Sequence, residues 1–368
     1  MKKIVYLFTA ASLLTACNSG NSSYTITGSV EGASDGDSVY LQQKVGNRQL
    51  VRLNSAAISN GKFTIKGEQD STINCYLTYN APGKEALMMD FFLENGKIDI
   101  ELTHNNDVAT GTPNNDTYQE IRAQLNDLNR QLTVTFSALG DTALTAEQRQ
   151  QRQKEMEEIQ EKMMKVTIDG IKKNIANAVG IHLLKQNFIY MDVDDLEPLM
   201  SQIPANYAND AGIVRLKDNV ARLRATAVGQ KFTDFNMITP EGLSVKLSDY
   251  VGKGQVVLVD FWASWCGPCR REIPHILDLY ERNKKAGFVV VGVSLDHTLE
   301  DWQKGIERLG ITWPQMSDLK FWNSEGARLY AVSSIPHTVL IDGEGTIIAR
   351  GLDGKDLDEA VAKALNNK

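Results

Sequence analysis

Hydrophobic and polar positions change period along the chain, and each change marks a different kind of element. From residue 24 to about 102 the apolar positions alternate with polar ones, as in Tyr24-Thr25-Ile26-Thr27, the period of a half-buried strand. Strands are expected over 24–30, 38–42, 50–58, 62–66, 74–79, 87–93 and 97–102. Ser59-Asn60-Gly61 offers hairpin chemistry, and Glu94-Asn95-Gly96 joins the last two strands. Seven short strands separated by turns predict an antiparallel β-sandwich over residues 24–115. The period then becomes helical. Tyr118, Ile121, Leu125, Leu128 and Leu132 share one face, Leu139-Gly140-Asp141 breaks the pattern, and Thr145 is a candidate cap for a long helix reaching about residue 178. Shorter helices are expected over 178–190, 194–203 and 210–223. Residues 116–225 thus form a helical middle, suited to a rigid arm or to a homodimer interface. From 226 to 368 strands and helices alternate: strand 256–262, helix 269–285, strand 288–294, helix 299–310, strands 337–342 and 345–350, helix 355–366. That order predicts an α/β domain on a mostly parallel sheet, closed by a final antiparallel hairpin.

The first residues have a different logic. Met1-Lys2-Lys3 followed by an apolar run over 4–14 has the form of a signal peptide, too short to span a bilayer as a mature helix. Leu14-Thr15-Ala16-Cys17 resembles the lipobox of bacterial lipoproteins. The resemblance implies cleavage after residue 16, acylation of Cys17 and a polar tether over 17–23. Several acyl chains on one residue exceed what stable anchoring requires. The expected location is therefore the cell envelope, with the chain lipid-anchored and facing the periplasm. A formal net charge of −7, more negative without Lys2 and Lys3, argues against a nucleic-acid partner.

The chemistry concentrates in Val256–Pro274, where an apolar run meets Trp265-Cys266-Gly267-Pro268-Cys269 and then a helical pattern through Ile273, Ile276, Leu277 and Tyr280. The cysteines sit at a strand-to-helix junction. Unpaired amides and the helix dipole there favour an anion, and a thiolate is the reactive form of cysteine. Cys266, expected to be the exposed member, is the candidate nucleophile, and Cys269, one turn deeper, the resolving thiol. Gly267 tolerates the tight turn and Pro268 needs no donor in the first turn. A C-x-x-C alone is also half a zinc site, but no second pair of cysteines or histidines is spaced to complete it, so neither metal nor cofactor is expected. Cys75, flanked by strand residues, is expected to be a buried small hydrophobe.

Residues 228–368 resemble the TlpA/ResA branch of the thioredoxin family, envelope thiol–disulfide oxidoreductases. The motifs are Val259-Asp260-Phe261-Trp262-Ala263, Trp-Cys-Gly-Pro-Cys, Pro274, and Ser334-Ile335-Pro336-His337-Thr338. The resemblance implies a thioredoxin-like fold, a buried Asp260 that moves the second cysteine's proton, and a cis peptide bond before Pro336. It also implies a substrate groove along Trp265, Gly267, Pro268, Ile335 and His337. Trp265 is expected to shield the sulfurs and Trp262 to lie in the core. His337, where the family commonly has threonine, is a candidate for tuning the pH response. The lysine that usually accompanies the buried acid is missing from strand 288–294. The implied partners are disulfide-containing envelope proteins, apocytochrome c among them, and a membrane thiol transporter as reductant. Gly267-Pro268 and Ile335 match the reducing type. A peroxidase reading lacks the Pro-x-x-x-Thr-x-x-Cys context of peroxiredoxins, and a non-catalytic scaffold would leave the dithiol idle. Residues 24–115 resemble the small β domain of unknown function that precedes thioredoxin-like domains in some envelope lipoproteins.

Overall fold

The computed structural model describes residues 22–46, 49–141 and 143–366, and Cys17 lies outside them. The chain divides into two compact units between Leu184 and Lys185. That boundary falls inside the expected helical middle.

The first unit carries two four-stranded sheets. One has the order β4 (Lys62–Gly67), β1 (Tyr24–Val30), β7 (Gly96–Leu102), β8 (Val108–Thr110). The other has the order β3 (Gln49–Ala57), β2 (Ser38–Val45), β5 (Ile73–Tyr79), β6 (Leu87–Leu93). Their alternating inward residues, among them Ile26, Leu41, Ile65, Leu77, Phe91 and Ile98, form one buried cluster that includes Cys75. Two features differ from the antiparallel expectation. β1 and β7 pair in parallel, Tyr24 opposite Gly96 through Val30 opposite Leu102, and β8 adds an eighth strand. The Asn60-Gly61 turn is also less than a full hairpin. Ser59 and Lys62 exchange both backbone hydrogen bonds across left-handed Asn60 and Gly61, but β3 and β4 then join opposite sheets. The turn sets where the chain crosses between layers.

Helices α1 (Pro113–Ala138) and α2 (Ala146–Asn174) pack as a pair, and Thr145 with Gln148 forms the capping box at the start of α2. α3 (Ala178–Asn187) spans the boundary between the units. The apolar stretch that hides His182 places it against Asp90 of β6, 3.3 Å away, and Tyr118 of α1 donates to the same Asp90 oxygen at 2.9 Å. Phe92 closes this buried polar cluster edge-on to both rings.

In the second unit α4 (Val193–Met200) and α5 (Ala211–Ala225) lead into a seven-stranded sheet. The strands are β9 (Asn236–Ile238), β10 (Ser244–Lys246), β11 (Val256–Trp262), β12 (Phe288–Ser294), β13 (Gln315–Ser317), β14 (His337–Ile341) and β15 (Ile347–Arg350). Their spatial order is β10-β9-β13-β12-β11-β14-β15. All seven residues of β11 are buried, so both faces of the sheet are covered there, by α6 (Gly267–Asn283), α7 (Leu299–Leu309), α8 (Glu325–Leu329) and α9 (Gly354–Asn366) among the second unit's elements. Side chains such as Phe261 and Trp262, each fully buried, contribute roughly 1.5–3 kcal/mol apiece. β11 pairs in parallel with β12 and antiparallel with β14, which brings Asp260 opposite Thr338. Arg350 fastens the end of α5 to this sheet by donating to the Thr226 carbonyl and hydroxyl and to the Tyr330 carbonyl. The later part of the helical middle therefore belongs to the sheet domain rather than to an arm. Among the described residues no helix is long and apolar enough to cross a membrane.

Candidate active site

β11 ends at Trp262, and the chain turns through Ala263–Trp265 into α6. Ser264 fixes the turn: its amide and hydroxyl both donate to the fully buried carboxylate of Asp296, which also accepts from the Ser294 hydroxyl. Arg308 donates to the Ser264 carbonyl from the other side. Nothing in the local sequence pattern marks Asp296, which lies just past a strand end 32 residues away.

Cys266 caps α6, with Gly267 and Pro268 as the first helical residues. Its Sγ is bonded to Cys269 Sγ at 2.05 Å and accepts the Cys269 amide at 3.1 Å. A thiolate formed at this place on reduction keeps that amide as a partner and faces the positive end of the helix, both of which stabilise the anion. The expectation of an exposed Cys266 needs correction. Only 5% of its surface is accessible, against 1% for Cys269, because the loop before β14 lies over it. The Ile335 carbonyl oxygen is 3.6 Å from Cys266 Sγ, and the Ile335–Pro336 peptide bond is cis. Trp265 is 45% exposed and packs against Phe321 and Trp322, with ring centroids 5.1 and 6.2 Å away. It heads an aromatic cluster rather than a core. Trp262 is fully buried and donates to Gln315.

Asp260 is 1% exposed, and neither carboxylate oxygen has a hydrogen-bond partner. Burial pushes its pKa up to about 8, and the negative charge of Glu272 adds to the rise. Glu272, on α6, has no distinguishing mark in the sequence, where it reads as one more surface charge after Arg270 and Arg271. It is half-buried with one unpartnered oxygen, and burial and then Asp353 raise its pKa against a smaller opposing effect of His275. Asp260 thus holds its proton near neutral pH, and Glu272 is raised in the same sense, in the region where the sequence lacks a lysine.

His337 begins β14, its ring 6.4 Å from that of Phe261. Burial, and then the charge of Arg350, hold its imidazole down at about 4, so it is neutral near pH 7. A pH-tuning role across the physiological range does not fit that environment. Among the described residues no group of three or more His, Cys, Asp or Glu side chains is placed to hold a metal ion.

Residues 228–350 match the AhpC/TSA family, and residues 24–118 match a domain of unknown function (DUF4369). The thiol-disulfide oxidoreductase ResA of Geobacillus kaustophilus is 37% identical over 123 residues, which cover 33% of this chain and 68% of that relative. The chain belongs to the TlpA/ResA branch of the thioredoxin family. This ResA-like chain is accordingly a thiol–disulfide oxidoreductase. The ResA of Oceanobacillus iheyensis is 39% identical over 104 residues, 28% of this chain and 52% of that relative. Among solved structures, the thioredoxin domain of a thiol-disulfide oxidoreductase from Bacteroides vulgatus is 39% identical with a TM-score of 0.36, covering 38% of this chain and 99% of that one.

Proposed function

We propose that this oxidoreductase works as a reductant of protein disulfides in the bacterial cell envelope, held at the membrane through an acylated Cys17. The observation that carries the reading is the seat of Cys266 Sγ, at the N-terminus of α6 and 3.6 Å from the Ile335 carbonyl. A substrate chain that pairs its backbone with the edge at Ile335 presents its disulfide to that sulfur.

In the reduced protein the Cys266 thiolate attacks one sulfur of the substrate disulfide. An S–S bond forms between Cys266 and the substrate, and the other substrate sulfur leaves as a thiolate. The carboxylate form of Asp260, a minority below its pKa of about 8, takes the Cys269 proton as Cys269 attacks Cys266 Sγ and expels the second substrate sulfur as a thiolate. Two electrons pass to the substrate, whose two thiolates take up one proton released by Asp260 and one from solvent, and the protein is left with the Cys266–Cys269 bond of the present structure. A dithiol donor, by this reading a membrane thiol transporter, returns two electrons to restore the reduced form. Apocytochrome c and misoxidised envelope proteins are the candidate substrates.

The reducing direction rests on Gly267-Pro268 and Ile335, which match the reducing thioredoxin type. A redox titration of the full chain in detergent tests it: the expected potential lies well below about −120 mV, the region of strong envelope oxidants, and a value near or above it contradicts the proposal. The anchor is tested by fractionation. The wild type is expected in the membrane fraction and Cys17→Ser outside it.

A further inference from the structure

Beside the cis-proline loop, within the second unit, lies a cleft of about 760 Å³. One wall is Ser333, Ser334 and His337, the residues on either side of Ile335–Pro336; the other is Ile189–Asp195, which runs into the first turn of α4. The walls are tied together, because the Ser333 hydroxyl donates to the Ile189 carbonyl at 3.2 Å.

Three properties of this cleft bear on what enters it. It adjoins the redox site through the chain, since Ile335 lies between its wall residues Ser334 and His337 and has its carbonyl 3.6 Å from Cys266 Sγ. A polypeptide extended along Ile335 advances about 3.3 Å per residue, so residues within two or three positions of its reacting cysteine reach the cleft. The Ile189–Asp195 wall offers large side chains to solvent: Tyr190 is 63% exposed and Ile189 is 40% exposed. Its charge is acidic. Asp192, Asp194 and Asp195 all line it, and Arg224 meets the Asp194 carboxylate. Arg350 is the one cation among the lining residues, and its guanidinium is engaged by Thr226 and Tyr330. An aromatic ring beside carboxylates suits a long aliphatic side chain that ends in a positive charge.

We propose that this cleft is an extended subsite for the substrate polypeptide and selects disulfides with a lysine or arginine within about three residues of the attacked cysteine. The inference rests on the disulfide-reductase reading and names its substrate class. It also gives the segment between α3 and α4 a task that the thioredoxin-like elements do not supply.

The test uses two short peptides whose single cysteine carries the same 5-thio-2-nitrobenzoate leaving group, one with flanking lysines and one with flanking glutamates. Rates with the reduced full chain in detergent are divided by the rates of the same peptides with dithiothreitol, which removes their intrinsic difference in reactivity. The lysine peptide is expected to react about fivefold faster or more, and Tyr190→Ala with Asp192→Asn to bring the ratio near one. Because the ratio is taken within each protein, partial unfolding of a variant does not distort it. A wild-type ratio near one, or a ratio that the double variant leaves unchanged, overturns the subsite. If the wild type releases thiolate from neither peptide nor from dithiobis(nitrobenzoate), the redox reading itself has failed instead.

Discussion

The half-buried Glu272 of α6 acts on the fully buried carboxyl of Asp260, whose oxygens have no hydrogen-bond partner, and its negative charge adds to what burial does to that acid. The sign of the consequence is fixed. Asp260 has its folded pKa raised from the ordinary carboxylate range to about 8, so the stability tied to its protonated form is complete below pH 4. It is lost as pH rises through about 8. Asp260→Asn lacks this loss. Its unfolding free energy relative to the wild type should climb between pH 4 and pH 8, by on the order of 5 kcal/mol for a shift of about four pH units, and then level off, while the cost of the buried amide is the same at every pH. Denaturant unfolding at several pH values checks it, and a pH-independent difference would count against a buried, protonated Asp260. The same variant should lengthen the life of the mixed disulfide by about 10²-fold at pH 7, since it cannot accept the Cys269 proton.

His337 has the opposite sign. Its pKa is held down at about 4, so the folded state keeps it neutral. The stability it contributes is intact above its ordinary pKa and declines as pH falls from about 6.5 toward 4. Its ring resonances in an NMR titration should stay unchanged from pH 8 to about pH 5.5. A midpoint near 6.5 would show that the imidazole is solvated and would reopen a pH-sensing role.

Cys75 is fully buried in the β-sheet core, and burial pushes its thiol up to about 12. It should resist iodoacetamide at pH 8 in the folded protein while Cys266, once reduced, is alkylated. Mass spectrometry of the peptides distinguishes the two. Labelling of Cys75 at the rate seen for the denatured chain would mean that the first unit opens readily.

What the sequence made legible follows from how local each signal is. The continuous apolar run of β11, the Cys-Gly-Pro-Cys turn and the amphipathic α6 all lie within some 30 residues, and their order specifies a strand, a capped helix and the place of the dithiol. Asp260 was visible because it is the lone acid in a strand that is otherwise apolar on both faces. Glu272 was not, since a glutamate beside two arginines on a helix looks like solubility, and only packing reveals its burial. The Asp90, Tyr118 and His182 cluster joins residues up to 92 positions apart and has no local signature. Turn chemistry located Asn60-Gly61 but did not say which sheet each flanking strand joins, and parallel pairing of β1 with β7 is a property of topology rather than of alternation. β13 is three residues long, too short for a period to be read.

The central claim is that Cys266 attacks and Cys269 resolves. Replacing Cys269 by alanine in the full chain, expressed in an envelope-bearing bacterium and quenched in acid, tests it most directly. The account predicts mixed disulfides that appear on a non-reducing gel, vanish with dithiothreitol and are lost when Cys266 is also replaced. Adducts that persist without Cys266, or a Cys269→Ala protein that accumulates none, would contradict it.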